Sequence, residues 1–245
     1  MKKERIDKLL YDQGFADSPA KARALVMSGV VLADEKRVEK PSEAFLITTQ
    51  LRIKGQTDAS RYASRGGLKL ERALLEFHIR TTEYVCLDVG SSTGGFTDCL
   101  LQHGAKRVIS VDAGTNQIVW KLRTDPRVDV RENTNARMLK PEDLNERFDL
   151  IVVDVSFISL TQILPAIVPL LNETGKIITL IKPQFEVRKG EVGSGGIVRE
   201  NEKHVRVVAE VNECAALLGL RVSGLIDSPV LGAEGNKEFL AFYER

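Results

Sequence analysis

Two apolar segments end in side chains that could move a proton. Asp154 follows the run Leu150–Val153, and Lys182 follows the run Lys176–Ile181, one strand–helix–strand unit later. The carboxyl ends of parallel strands meet at one edge of a sheet, so we expect both side chains at that edge. A partly desolvated lysine can act as a general base, and a carboxylate beside it can orient it. Each residue alone is more simply a solvated charge, but their joint position favours catalysis.

A glycine-rich turn after another apolar strand indicates a ligand site. The segment CLDVGSSTGG supplies Asp88 and then Gly90, Ser91, Ser92, Thr93, Gly94 and Gly95. This spacing differs from G-x-G-x-x-G, and no Walker lysine follows, which argues against a dinucleotide fingerprint and a P-loop. Asp88 suits a ligand with an ammonium group, and Asp112, at the end of the next strand, suits ribose hydroxyls. The pattern favours S-adenosylmethionine; the alternative is a tight structural turn with Asp112 as a helix cap.

These side chains need strands and helices to position them, and the chain alternates between the two from Gly66 onwards. Gly67–Phe77 has the spacing of a helix. Apolar strand candidates follow at Tyr84–Val89, Arg107–Val111, Val128–Arg131, Leu150–Val153, Lys176–Ile181, Arg221–Ile226 and Glu238–Tyr243. Apolar strands separated by helices are typical of an α/β protein with a mostly parallel sheet that is covered on both faces.

The front of the chain has a different pattern. Apolar residues recur at helical spacing from Ile6 up to Gly14. Ser18 and Pro19 then predict the start of a second helix, which Gly29 ends. The two helices give this part of the chain a basic face.

Short strands and a linker complete this front module. Val30–Leu32 and Phe45–Ile53 alternate like strands, and Gly55–Ser64 is polar and small. We therefore expect a small α+β domain over residues 1–60, with its linker reaching about residue 64, and a second domain over residues 65–245.

The charges of the chain divide in the same way. Residues 1–80 hold 16 Lys/Arg and 11 Asp/Glu, a balance of +5, whereas residues 81–245 hold 19 and 23, a balance of −4, within a formal net charge of +1. A basic front end suggests a polyanionic partner such as nucleic acid, although a solvated basic helix face would give a similar count.

Other features of the sequence exclude several classes of protein. The cysteines are odd in number and form no CxxC pair, which supports neither a disulfide framework nor a metal site: Cys86, Cys99 and Cys214. The uncharged run Val155–Asn172 has too many polar residues and prolines for a membrane span. No secretory signal is visible at the start, so we expect a cytoplasmic protein. Phe157 and Trp120 are expected in the core.

Four segments show a resemblance to a known family. Lys69 in SRGGLKL, Asp154 in DVSFISL, Lys182 in IKPQFE and Glu238 in EGNKEF resemble the Lys-Asp-Lys-Glu tetrad of FtsJ-like ribose 2′-O-methyltransferases. The front module resembles the alpha-L RNA-binding domain of a small-subunit ribosomal protein, pseudouridine synthases and tyrosyl-tRNA synthetases. With GSSTGG as cofactor loop, the whole chain resembles the TlyA family of rRNA (cytidine-2′-O)-methyltransferases, often catalogued as hemolysins.

The resemblance implies a fold and a set of roles. The fold would be a Rossmann-like class I S-adenosylmethionine-dependent methyltransferase sheet with a small N-terminal α+β RNA-binding domain. Lys182 would be the general base that Asp154 orients, while Lys69 and Glu238 would fix the charge pattern and the hydroxyl. Asn135, after the third strand, would meet the adenine of the cofactor. Without the resemblance, Lys69 is more simply a solvated helix residue and Glu238 an edge-strand carboxylate.

The implied substrate is cytidine in ribosomal RNA, either free or in a ribosomal subunit. The 23S rRNA is the first expectation, and 16S rRNA stays open, as does the oligomeric state. The expected RNA-contacting residues are Arg5, Lys21, Arg23 and Arg65. The glycine-rich segment Gln184–Glu200 is a candidate lid.

Three rival functions remain at this point. A base N-methyltransferase commonly has an Asp/Asn-Pro-Pro-Tyr turn, whereas this chain has Asp154-Val155-Ser156-Phe157 without the prolines. A non-catalytic rRNA-binding assembly factor is the second rival. A pore-forming hemolysin would need a membrane-active segment, which the sequence does not offer.

Overall fold

The chain divides into two compact units, Met1–Arg61 and Tyr62–Arg245. The computed structural model describes residues 3–13, 15–16, 18–53 and 61–245. Most of the predicted linker Gly55–Ser64, like the predicted helix end at Gly14, lies outside the described residues.

The first unit contains two helices, α1 (Ile6–Asp12) and α2 (Pro19–Met27). Ser18 caps α2 as predicted, because its hydroxyl accepts a hydrogen bond from the Lys21 N–H at 3.3 Å. The helices and strands of this unit share one buried apolar cluster: Ile6, Leu10, Ala16, Ala22, Val26, Val31, Ala33 and Val38.

Two small sheets complete this unit. β1 (Lys3–Arg5) pairs with β4 (Ala44–Leu46), and β2 (Val31–Ala33) lies between β3 (Lys36–Arg37) and β5 (Leu51–Ile53). The predicted strand region Phe45–Ile53 is therefore two strands in two different sheets. A turn separates them, in which the Thr49 N–H donates to the Leu46 carbonyl at 3.0 Å.

The second unit is built on a seven-stranded sheet. The strands are β6 (Val85–Val89), β7 (Arg107–Val111), β8 (Val128–Arg131), β9 (Phe148–Val153), β10 (Leu171–Ile181), β11 (Arg221–Asp227) and β12 (Phe239–Glu244). Their order in the sheet is β11-β12-β10-β9-β6-β7-β8. The five strands from β10 to β8 run parallel, whereas β12 is antiparallel to both of its neighbours.

Both faces of this sheet are buried, as the apolar strands predict. In β9, Ile151 and Val153 belong to one apolar cluster, while Leu150 and Val152 belong to another. Alternate residues of a strand point to opposite faces. The two clusters therefore cover the two sides of the sheet.

Helices connect the strands. They are α3 (Gly66–Glu76), α4 (Gly95–Gln102), α5 (Trp120–Arg123), α6 (Pro141–Leu144), α7 (Leu164–Ile167), α8 (Pro183–Glu186) and α9 (Asn201–Leu217). Glycines let α3 approach α4 closely, since a Cβ at Gly95 would lie 2.2 Å from Ser64 Oγ and 3.0 Å from Gly67 N. Through this contact α3 brings its buried residue Lys69 to the sheet edge.

Two predictions about aromatic residues are wrong. Phe157 is 90% exposed and Trp120 is 74% exposed, so neither belongs to the core. Phe157 has φ = +63°, in a turn directly after β9. Hydropathy alone does not reveal a turn that directs an apolar side chain outward.

The glycine-rich segment Gln184–Glu200 is fastened to its surroundings at several points. Glu191 forms an ion pair with Arg206 of α9. The buried Asn236 side chain accepts a hydrogen bond from the Val198 N–H at 3.1 Å and donates one to the Gly196 carbonyl at 2.9 Å. Within the described ranges, no helix combines the length and the apolar character that crossing a bilayer requires.

Candidate active site

A cavity of about 390 Å³ opens at the carboxyl ends of the parallel strands. Asp154 follows β9 and Lys182 follows β10, so the chain places both at this edge, as their spacing predicts. Lys69 reaches the same cavity from α3, and Glu238 reaches it from the residue before β12. The structure thus brings all four tetrad positions to one cavity.

The four charged side chains form two ion pairs. Lys182 Nζ lies 2.5 Å from Asp154 Oδ1, and it also donates a hydrogen bond to Ser156 Oγ at 3.0 Å. Lys69 Nζ lies 2.5 Å from Glu238 Oε2. The lysine side chains are only 10% exposed, so each ammonium has exchanged most of its water for a carboxylate.

Glu238 is held from its other side by the backbone of Gly232. A Cβ at position 232 would lie 1.9 Å from Glu238 Oε1, so any larger residue would displace this carboxylate. Glu238 is 2% exposed. A buried ion pair of this kind contributes little net stability, but removing one partner is costly. Its position in the cavity is therefore better explained by chemistry than by stability.

The glycine loop separates this cavity from a second one. Gly90 has φ = +85°, and a Cβ there would lie 2.5 Å from the Asp154 carbonyl oxygen. The Asp154 N–H donates to the Val89 carbonyl at 2.9 Å. Glycine at this position thus allows the loop to pass directly over the backbone that carries Asp154. Of the predicted loop residues, those lining the first cavity are Gly90, Ser91, Ser92, Thr93 and Gly95.

The second cavity, of about 480 Å³, is lined by Asp112 and Asn135. The Asp112 carboxylate accepts hydrogen bonds from the Ser92 N–H at 2.8 Å and the Gly114 N–H at 2.7 Å. The Asn135 side chain accepts one from the Arg137 N–H at 3.1 Å. A carboxylate has about four acceptor positions, so Asp112 keeps capacity for the hydroxyls of a ligand.

Asp88 lies inside the protein. Its carboxylate is fully buried, and Oδ2 accepts a hydrogen bond from Thr97 Oγ1 at 2.6 Å. Burial raises the pKa of this carboxyl to about 7; the Thr97 hydrogen bond opposes the rise, and the carboxylates of Asp154 and Asp112 add to it. The linings of the two cavities, as formed by the described residues, include neither Asp88 nor Gly94.

The predicted RNA-contacting residues lie in both units. Arg5 and Arg23 both hold the buried Asp7 carboxylate, at 2.7 Å and 3.2 Å, while more than half of each arginine side chain stays exposed. The Arg5 guanidinium keeps the pKa of the Asp7 carboxyl below its usual value. Lys21 is exposed on α2, and Arg65, in the second unit, lines the first cavity.

Sequence reasoning missed two residues at the junction of the cavities. Ser156 and Phe157 line both of them, and Ser156 contacts Lys182. The Phe157 ring lies 5.0 Å from the Phe185 ring, centroid to centroid. A hydroxyl two residues after Asp154 was a usable signal, but the partner of that hydroxyl depends on a turn that the sequence does not specify.

Comparison with known proteins supports this architecture. Residues 62–245 match the model of the FtsJ-like methyltransferases, and residues 4–45 match that of the S4 domain. The 16S/23S rRNA (cytidine-2′-O)-methyltransferase TlyA of Mycobacterium tuberculosis is 44% identical over 239 residues, which cover 97% of this chain and 88% of that protein.

Solved structures share the fold. A protein described as a hemolysin from Streptococcus thermophilus is 45% identical, with a TM-score of 0.75 over 100% of this chain and 89% of the other. An S-adenosylmethionine dependent methyltransferase from Mesorhizobium loti is 13% identical, with a TM-score of 0.53 over 71% of this chain and 96% of the other. The second likeness concerns the fold alone.

Proposed function

Because the chain belongs to the FtsJ-like methyltransferase family, we propose that it transfers a methyl group from S-adenosylmethionine to the ribose 2′-hydroxyl of cytidine in ribosomal RNA. The observation that carries the proposal is the pair of buried ion pairs, Lys182 with Asp154 and Lys69 with Glu238, in one cavity beside the glycine loop. The names of its relatives supply the cytidine and the ribosomal RNA.

A base and accurate alignment are what this reaction needs. A ribose hydroxyl is a poor nucleophile at neutral pH. In the proposed step Lys182 Nζ would accept the proton of the attacking 2′-hydroxyl, while S-adenosylmethionine would supply the methyl group and its sulfur would keep the electron pair of the broken carbon–sulfur bond. Lys182 must be uncharged at that moment, and Asp154 and Ser156 then hold the ammonium that forms.

In this proposal Lys69 and Glu238 position the acceptor hydroxyl. Their ion pair lines the same cavity as the Lys182–Asp154 pair, and the Gly232 backbone packs against its carboxylate. A fixed pair of charges holds the acceptor hydroxyl in line without the cost of reorganising solvent.

The second cavity fits the nucleoside of the cofactor. S-adenosylmethionine would supply an electrophilic methyl group on a positively charged sulfur. Asp112 would accept the ribose hydroxyls, and Asn135 would lie beside the adenine with the apolar wall of Val155, Ile158 and Ile163. Glycine at position 90 would keep this part of the cavity wall free of a side chain, since its positive φ and the contact with the Asp154 carbonyl oxygen leave no room for a Cβ.

The S4 domain would supply RNA affinity. Arg5, Lys21 and Arg23 of this domain would contact phosphates, and Arg65 of the second unit would add a fourth contact. Phosphate contacts give affinity and salt dependence rather than base selection. The four positions are exposed or line the first cavity.

The test is the position of the transferred label. Purified protein, ribosomal subunits and S-adenosylmethionine labelled in the methyl group should give RNA with the label on a ribose 2′-oxygen, mapped to its nucleotide by mass spectrometry. A label on a base would establish the base N-methyltransferase instead. Binding of RNA without any transfer would favour the assembly factor. Comparing 30S with 50S subunits decides between 16S and 23S rRNA.

A further inference from the structure

Glu186 joins the two segments that carry the Lys182–Asp154 pair. It ends α8, the short helix that begins directly after Lys182. Its Oε1 accepts a hydrogen bond from the Leu160 N–H at 2.8 Å, and its Oε2 accepts one from Ser159 Oγ at 2.6 Å. Both donors belong to the segment that continues from Asp154. One carboxylate thus ties the chain after β9 to the chain after β10.

Other contacts between these segments lie nearer the cavity. Lys182 contacts Asp154 and Ser156, and the Phe185 ring packs against the Phe157 ring. These contacts are made by side chains that substrate and cofactor would also touch. Glu186 differs, because it lines neither cavity among the described residues.

The Glu186 carboxylate is half-buried. Burial raises the pKa of Glu186; the hydrogen bonds from Leu160 and Ser159 oppose that rise, and Glu210 on α9 adds to it. Water replaces a lost donor only in part at a half-buried carboxylate, so the arrangement of both segments around Glu186 is preferred.

We propose that Glu186 is a positioning residue: its carboxylate fixes the segment after Asp154 to α8 and so sets the geometry of the Lys182–Asp154 pair. The proposal rests on the proposed function, since Glu186 would position the general base of that reaction. A displacement of about 1 Å in such a pair can cost up to about a hundred-fold in rate.

The first experiment measures methyl transfer to ribosomal RNA by Glu186→Ala and Glu186→Gln. Glu186→Ala should lower kcat between about ten-fold and a hundred-fold with little change in KM for RNA. Glu186→Gln should recover much of the rate, because its amide oxygen can still accept from Leu160 and its NH₂ can donate to Ser159. Glu213→Ala, which removes an exposed carboxylate on α9, is the matched control and should keep the wild-type rate.

Combination with Lys182→Met separates positioning from general support of the fold. If Glu186 acts through Lys182, the double variant should be no slower than Lys182→Met alone. Additive losses, or full activity of Glu186→Ala beside an active wild type, would overturn the proposal.

Hydrogen exchange makes the test independent of turnover. The Leu160 amide should exchange faster in Glu186→Ala and stay protected in Glu186→Gln and in the wild type. Unchanged protection in Glu186→Ala would overturn the proposal even if the wild type is inactive. Inactivity of the wild type on ribose would instead count against the proposed function, with the amide still reporting on the contact.

Discussion

Each lysine of the candidate active site has a carboxylate of its own. Lys182 is paired with Asp154, and Lys69 is paired with Glu238. The four charges cancel within the cavity, so removing a single one leaves its partner buried and uncompensated. Removal of one partner of a buried pair typically costs about 3–5 kcal/mol.

The Lys69–Glu238 pair gives a prediction about stability. Lys69→Met and Glu238→Gln should each lower the free energy of unfolding by about 3 kcal/mol, because each leaves one buried charge. The double variant should lose less than the sum, since no charge is left unpaired. Urea denaturation of the four proteins measures this coupling. Strictly additive losses would mean that the two side chains do not interact.

The Lys182 prediction concerns turnover. Lys182→Met should lower methyl transfer by about 10²–10⁴-fold, because the variant has no group to accept the hydroxyl proton. S-adenosylmethionine affinity, measured by calorimetry, should stay close to that of the wild type. Lys189→Met, in an exposed position on the same segment, is the matched control and should transfer normally. Retained activity of Lys182→Met would exclude this lysine as the base.

Asp88 should make stability depend on pH. Its pKa rises from 3.8 to about 7 on folding, mainly through burial. Between about pH 4 and pH 7 the native state keeps a proton that the unfolded chain has released, so the free energy of unfolding falls as the pH rises through this range.

Asp88→Asn removes this titration. Between pH 5 and pH 8 the fall in the free energy of unfolding should therefore be smaller in the variant than in the wild type, by on the order of 2–4 kcal/mol. Thermal or urea unfolding at both pH values measures it. Glu173→Gln, at an exposed position, should follow the wild type. An unchanged pH dependence in Asp88→Asn would show that Asp88 does not keep its proton in the native state.

At the scale of elements, the glycine loop is fixed by the strand beside it. Gly90 has a positive φ, and the Asp154 backbone leaves no space for a Cβ. Gly219, after α9, has nearly the same φ of +84°, but nothing lies within 4 Å of the position of its Cβ. Alanine substitutions at the two positions therefore separate the cost of a positive φ from the cost of a steric contact.

Gly219→Ala should lower the free energy of unfolding by about 1–2 kcal/mol, the cost of a left-handed residue with a Cβ. Gly90→Ala should lower the free energy of unfolding by the same amount and by about 1–3 kcal/mol more, because of the contact with Asp154. It should also bind S-adenosylmethionine more weakly. Denaturation and calorimetry measure both effects. Equal losses in the two variants would contradict the steric argument.

The sequence predicts elements better than it predicts contacts. The alternation of apolar strands with helices predicted the buried sheet. It also predicted that Asp154 and Lys182 lie together, because the carboxyl ends of parallel strands meet at one edge of a sheet. The division of the tetrad into two ion pairs depends on where α3 and the residue before β12 reach the sheet, and spacing along the chain does not encode this. The prediction that Phe157 lies in the core was wrong for the same reason, because a turn decides how far this side chain is exposed.

At the scale of the whole molecule, the two compact units suggest separable tasks. A chain that lacks residues 1–60 should bind ribosomal RNA at least roughly ten-fold more weakly, because it loses three of the four proposed phosphate contacts. Its affinity for S-adenosylmethionine should change much less, since both cavities are lined by residues of the second unit. Filter binding and calorimetry measure the two affinities. Equal RNA affinity would contradict the role of the first unit.

The contact of Arg5 and Arg23 with Asp7 affects how RNA binding should respond to salt. The three charged groups sum to a single positive charge, with the carboxylate serving as a built-in counterion of the two guanidinium groups. An arriving phosphate would share these arginines with Asp7. The slope of log affinity against log salt concentration should therefore correspond to about one neutralised phosphate at this cluster. Counting the two arginines alone would predict two neutralised phosphates.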